Sequence, residues 1–135
     1  MINIQAQMKE LFGNSCYAYC IAALFRKTAD IKILTKYVLE GWYNGYIEDD
    51  GYVAKPLQYI KLVSGETYKD VKKLSYKPKQ DTFIVEWRNP KGGSHFTVEN
   101  NSTISSDTAL FDPSGNSISR ANKEIISYRE FIAKL

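Results

Sequence analysis

Three side chains in this 135-residue chain together suit nucleophilic thiol chemistry: Cys16, the single histidine His95, and Asp112. Cys16 follows Asn14-Ser15 and opens an apolar run, Tyr17 to Phe25, that closes on Arg26-Lys27. Asn and Ser are helix-capping residues, whose side chains satisfy N–H groups that a first turn leaves free. A run that is apolar on every side marks a buried helix, and basic residues suit the negative end of its dipole. The pattern predicts a central helix from Ser15 to Lys27 with Cys16 in its first turn. There the positive end of the dipole favours thiolate over thiol.

His95 begins a strand just after Gly92-Gly93, and Asp112 ends a later strand. Strand ends beside loops are where folds place reactive groups. If the two strands pair about a turn near Thr103-Ile104, antiparallel geometry brings His95 and Asp112 to one end of the sheet. A carboxylate beside an imidazole accepts its N–H, fixes its tautomer and stabilises the imidazolium. His95 then takes the proton of Cys16, as thiol nucleophiles require. Each residue also has a plainer reading. A lone strand histidine can be a surface or core polar group, an aspartate before Pro113 suits a turn, and Cys16 can be a packed thiol. The conjunction of helix cap, glycine turn and matching strand end favours the chemical reading.

The elements that must position these residues follow from periodicity. Asp30 is a good N-cap, and Ile31, Ile33, Leu34, Tyr37 and Val38 recur at helical spacing, with an end expected near Glu40-Gly41. Trp42 to Val53 reads as loop. Lys55-Pro56 opens a third helix that Ser64-Gly65 ends. Strands are predicted over 68–74, 82–87, 94–99 and 108–112, with another somewhere in 117–126. Ser127-Tyr128-Arg129-Glu130 has the form of a capping box and predicts a short final helix containing Phe131, Ile132 and Leu135. Residues 1–13 suit a short strand, a loop or a helical turn. Helices first and an antiparallel sheet second make an α+β plan, as one domain over 1–135.

Composition narrows the partners. At 44% hydrophobic and 24% charged, the chain has apolar material for one core. A net charge of +3 is too weak to imply nucleic acid. The excess lies in Lys69, Lys72, Lys73, Lys77 and Lys79, which suit either an acidic partner or a solvated strand. No apolar run is long enough to span a bilayer. The start, Met1-Ile2-Asn3-Ile4-Gln5, lacks the basic-then-apolar pattern of a secretory signal. A cytoplasmic protein is therefore expected, with export by another route or a trimmed chain as the alternatives. Two cysteines are too few for a disulfide framework, and one histidine argues against zinc. No metal or other cofactor is expected. Cys20 reads as a small core residue.

Ser15-Cys16-Tyr17-Ala18-Tyr19 resembles the papain-type signature of small residue, Cys, aromatic, Ala, aromatic. His95-Phe96-Thr97-Val98 and Asp112-Pro113-Ser114-Gly115 are similar to motifs of a compact branch of that superfamily, the bacterial bacteriocin-processing peptidases that cleave double-glycine leaders. His95 also lies far closer to Cys16 than in full-length papain-like proteases. The motifs stand in the family's order. The resemblance implies a papain-like fold, with the Cys-bearing helix packed on a C-terminal antiparallel sheet. It also implies a Cys16-His95-Asp112 triad and a peptide or protein substrate. Papain-like enzymes bind the oxyanion with a glutamine upstream of the cysteine. At the usual offset this chain has Glu10; Gln7 and Gln5 lie further upstream. A slightly longer loop brings Gln7 into place beside the Cys16 N–H. Asn14 is a second candidate donor, or simply a cap, and Gln5 and Gln7 otherwise face solvent.

The expected activity is that of a thiol hydrolase, a cysteine peptidase that cleaves a peptide or related amide through a thioester. Two alternatives stay open: a hydrolase of related fold acting on cell-wall peptides or isopeptide bonds, and a papain-like binding module without turnover. The aromatic loop Trp42 to Tyr52 either lines a binding surface or anchors itself by packing.

Overall fold

The apolar run after Cys16 forms helix α1, Cys16–Arg26, in a computed structural model that describes Leu11 and residues 13–89, 92–106, 108–114 and 124–134. Every residue from Ala18 to Ala23 is buried, as an all-round apolar helix requires. Ser15 holds the N-cap position and its carbonyl accepts the Tyr19 N–H at 3.0 Å. Its side chain makes no cap hydrogen bond, contrary to expectation. Its backbone, at φ −102° and ψ 28°, departs from the extended shape that aims a capping hydroxyl back at the first turn.

Helix α2, Ile31–Tyr43, starts as expected: the Asp30 side chain accepts the Lys32 N–H at 3.0 Å. It runs past Gly41, where an end was expected. Gly41 is a packing residue there; a Cβ would lie 2.7 Å from the Tyr59 ring and 2.8 Å from Ile47 Cδ1. Helix α3, Pro56–Ser64, carries Tyr59, whose hydroxyl donates to the Ala18 carbonyl at 3.1 Å and ties α3 to α1. Gly65 ends α3 in the left-handed region at φ 78°.

Four strands follow: β1, Tyr68–Leu74; β2, Thr82–Arg88; β3, Ser94–Asn100; and β4, Ile125–Ala133. They form one antiparallel sheet in the order β1-β4-β2-β3. The predicted C-terminal helix is therefore wrong. Residues 125–133 are a central strand paired on both sides. Ile125, Ile126, Tyr128, Phe131 and Ile132 are β-branched or aromatic, and the chain alternates: Tyr128 packs on Phe83 of one face while Phe131 enters the core on the other. The capping-box letters lose to two ladders of sheet hydrogen bonds. The rest of 117–126 and most of 1–13 lie outside the described residues.

Ile84, Val98 and Phe131 join the helices in the main core. Phe83, Val85 and Trp87 form a smaller cluster with Ile104, Ile125 and Tyr128. Helix α1 packs on β3 and β2. The strand predicted over 108–112 is reduced to one bridge: Val98 N–H donates to the Phe111 carbonyl at 2.9 Å and Phe111 N–H to the Val98 carbonyl at 3.3 Å. Pairing goes no further because Leu110 turns out to solvent and Pro113 has no N–H to donate. Lys69, Lys72 and Lys73 are exposed on β1, at the opposite edge, where charge discourages pairing with another sheet. Among the described residues, no helix is long and apolar enough to cross a membrane.

The loop after α2 presses on the approach to Cys16. Gly51 has φ 89°, and a Cβ there would lie 2.7 Å from both the carbonyl carbon and oxygen of Asn14. Gly51→Ala is expected to cost about 1–3 kcal/mol of stability, read as a lower urea midpoint. An unchanged midpoint would contradict this packing.

Candidate active site

Helix α1 delivers Cys16 at its first position, with the side chain partly exposed. Strand β3 delivers His95, opposite Trp87 of β2 and nearly buried. The Val98–Phe111 bridge carries Asp112 back along β3, so that it meets the histidine from the edge of the sheet. His95 Nε2 stands 2.7 Å from Asp112 Oδ1. The Cys16 side chain lies near enough to His95 to help raise its imidazole. Asp112 occupies Nε2, so Nδ1 is the ring nitrogen it leaves unengaged by the carboxylate. The structure thus brings the three residues picked from sequence together: Asp112 bonds His95, and Cys16 shares its cleft and acts on its imidazole.

The sequence pattern passed over Ser114. Its N–H and its hydroxyl both donate to Asp112 Oδ1, at 2.9 and 2.7 Å, and its Oγ lies 3.2 Å from His95 Nε2. The signal was present: an aspartate followed two residues on by serine forms side-chain-to-backbone turns. The Asp112 side chain has no exposed surface, and among the described residues its Oδ2 has no hydrogen-bond partner.

The electrostatics follow from these contacts. Burial alone would push the Asp112 carboxyl up, but the His95 and Ser114 hydrogen bonds and the His95 charge outweigh it and hold the group below its ordinary value. Burial likewise works against a charged His95. The hydrogen bonds to Asp112 and Cys16, with the negative charges of both, win and raise the imidazole to about 9. Burial pushes the Cys20 thiol well up, and Cys16, Asp112 and Glu99 add to it. Cys20 is fully buried one turn below, so it is core rather than nucleophile.

These shifts fix a stability profile. Folding raises His95 from 6.5 to about 9, so its contribution is complete below 6.5 and is lost as pH rises through about 9. Folding lowers Asp112 from 3.8, so its contribution is present above that value and is lost as pH falls through the lower folded one. The urea midpoint is expected to be highest between 3.8 and 6.5 and to fall on the alkaline side. His95→Ala is expected to flatten that alkaline fall; an equally steep fall without His95 would contradict the assignment.

A cleft of about 570 Å³ opens over Cys16 and His95, walled by Asn14, Gly93, Ser94 and Ser114 among others. The Cys16 N–H lies in the first turn of α1, where backbone donors have no intrahelical partner. Asn14 lines the same cleft. Gln7, Gln5 and Glu10 lie outside the described residues. Trp42 donates to Asp49 at 2.8 Å and so anchors its own loop, while Tyr43 and Tyr52 are exposed and Gly51 is the loop's contact with Asn14. Among the described residues, no group of three or more His, Cys, Asp or Glu side chains is arranged to hold a metal ion. No family model matches the chain, and no curated protein or solved structure matches it.

Proposed function

We propose that this protein is a papain-like cysteine peptidase that cleaves a peptide or related amide bond through a Cys16-His95-Asp112 triad. The observation that carries the reading is the placement of His95 between a thiol at a helix N-terminus and a buried carboxylate, at the floor of an open cleft. A histidine raised to about 9 is protonated at neutral pH, which suits a thiolate–imidazolium pair.

In this mechanism the Cys16 sulfur attacks the substrate carbonyl carbon and a C–S bond forms. The carbonyl oxygen takes the electron pair and is met by the Cys16 N–H, with Asn14 or Gln7 as the second donor. The His95 imidazolium gives its proton to the leaving nitrogen, the C–N bond breaks, and a thioester remains. His95 then takes a proton from water, the resulting hydroxide displaces sulfur, and the acid product leaves. Asp112 keeps Nε2 engaged throughout, so the ring presents Nδ1 to the sulfur.

The test is a mixture of unstructured peptides, followed for cleavage products and for an acyl adduct on Cys16 by intact mass, with murein peptides and an isopeptide in parallel. New termini together with an acyl-enzyme support the peptidase. Turnover of murein peptides or the isopeptide alone moves the reading to a related amide hydrolase. The absence of any adduct or product across all three contradicts it.

A further inference from the structure

One buried charge cluster lies outside the triad, on the helix-facing side of the sheet. Glu86 of β2 is nearly buried. Its Oε1 accepts from Ser127 Oγ at 2.6 Å and lies 3.4 Å from both terminal nitrogens of Arg129. Its Oε2 accepts from Ser94 Oγ at 2.6 Å. Arg129 of β4 also donates to Ser127 Oγ, and Lys73 Nζ stands 3.7 Å from Glu86 at the solvent side.

The guanidinium reaches further. Its central carbon lies 5.6 Å from the Tyr17 ring centre and 5.4 Å from that of Phe96. Those two rings are themselves 4.7 Å apart. Tyr17 is the residue after Cys16; Ser94 and Phe96 flank His95. The cluster therefore touches both sides of the seam between α1 and β3, one residue away from each half of the thiol–imidazole pair.

We propose that Arg129, anchored on Glu86, is a positioning residue that clamps the Tyr17–Phe96 stack and so holds the Cys16 thiol at the His95 ring. The proposal rests on the thiol-hydrolase reading of that pair. A planar guanidinium can lie on aromatic faces while its fork stays hydrogen-bonded. An ammonium is a point charge on a flexible stem and does not reproduce both contacts. Stability alone explains the arrangement poorly, since a buried ion pair is often no better than a well-packed apolar pair. The geometry it imposes is specific. Tyr17 and Phe96 also pack against the main core, and this guanidinium is the charged group that spans both rings.

The test reads the pair without any substrate. The full chain is alkylated with iodoacetamide across a pH series, and the Cys16 adduct is followed by mass spectrometry. Wild type, His95→Ala, Arg129→Met and Arg129→Lys are compared, with folding checked by far-UV circular dichroism. Arg129→Met is expected to fold and to lose about tenfold in Cys16 alkylation rate on the acid side of neutrality, moving toward the His95→Ala profile. Arg129→Lys is expected to recover little of that loss. A profile for Arg129→Met that superimposes on wild type, while His95→Ala differs, overturns the clamp and leaves the peptidase reading standing. Identical profiles for wild type and His95→Ala remove the ion pair, and the clamp with it. If Arg129→Met does not fold, Glu86→Gln, which keeps the shape and drops the anchoring charge, carries the same comparison.

Discussion

Replacing Cys16 by alanine is expected to lower kcat/KM by about 10⁴-fold or more. The side chain stands at the first position of α1, partly exposed at the cleft, so its loss opens no large cavity. The Cys16 backbone N–H remains as an oxyanion donor, and whatever slow reaction survives comes from binding and that donor. Stability is expected to stay within about 1 kcal/mol of wild type. Cys20→Ala should behave in the opposite way: Cys20 is fully buried, so the variant loses stability and keeps turnover. Initial rates and urea midpoints on the two variants separate a nucleophile from a packed thiol four residues away. Full activity in Cys16→Ala would contradict the mechanism outright.

Removing the Asp112 side chain is the next largest effect. Asp112→Ala leaves His95 Nε2 without its 2.7 Å partner and deprives Ser114 of its acceptor. A loss of about 10²–10⁴-fold in kcat is expected. Two consequences separate orientation from charge. The Asp112 bond and charge help hold His95 at about 9, so the alkaline limb of the rate profile should move to lower pH in Asp112→Ala. Asp112→Asn keeps an acceptor oxygen and drops the charge. It should recover part of the rate while its alkaline limb stays shifted. A rate profile that ends at the same pH in all three proteins would show that Asp112 does not face the working histidine.

Helices α1, α2 and α3 were legible because each carries local signals: the all-apolar run after Cys16, the Asp30 cap, and Pro56 with Gly65 at the two ends of α3. The β2–β3 hairpin was legible for the same reason, with strong strand letters on each side of Gly92-Gly93. The last strand was not. Ser127-Tyr128-Arg129-Glu130 satisfies a local helix rule, and what overrides it is pairing with β1 and β2, segments far away in the chain. A local pattern carries no information about such partners. Gly41 misled in the same way, since the ring that makes it a packing residue belongs to Tyr59 on another helix.

For the site, Cys16, His95 and Asp112 could be picked out because each sits at the end of an element, and the antiparallel return of the chain through Phe111 brings the last two together. The pairing that does so is a single bridge rather than the strand expected. Ser114 lies inside the Asp112–Gly115 motif, but that motif gives it no role of its own. The Glu86–Arg129 cluster was invisible in the sequence, because it joins β2, β3 and β4 with α1 and has no spacing of its own.

The pH dependence of Cys16 alkylation, measured in wild type and His95→Ala, tests the central claim most directly. It asks only whether the imidazole that touches Cys16 also governs its reactivity. The account expects rapid alkylation on the acid side of neutrality in the wild type, and a profile displaced to higher pH in His95→Ala, where no imidazolium stabilises the thiolate. Superimposable profiles would mean that Cys16 and His95 are neighbours without being a catalytic pair, and the peptidase reading would fall.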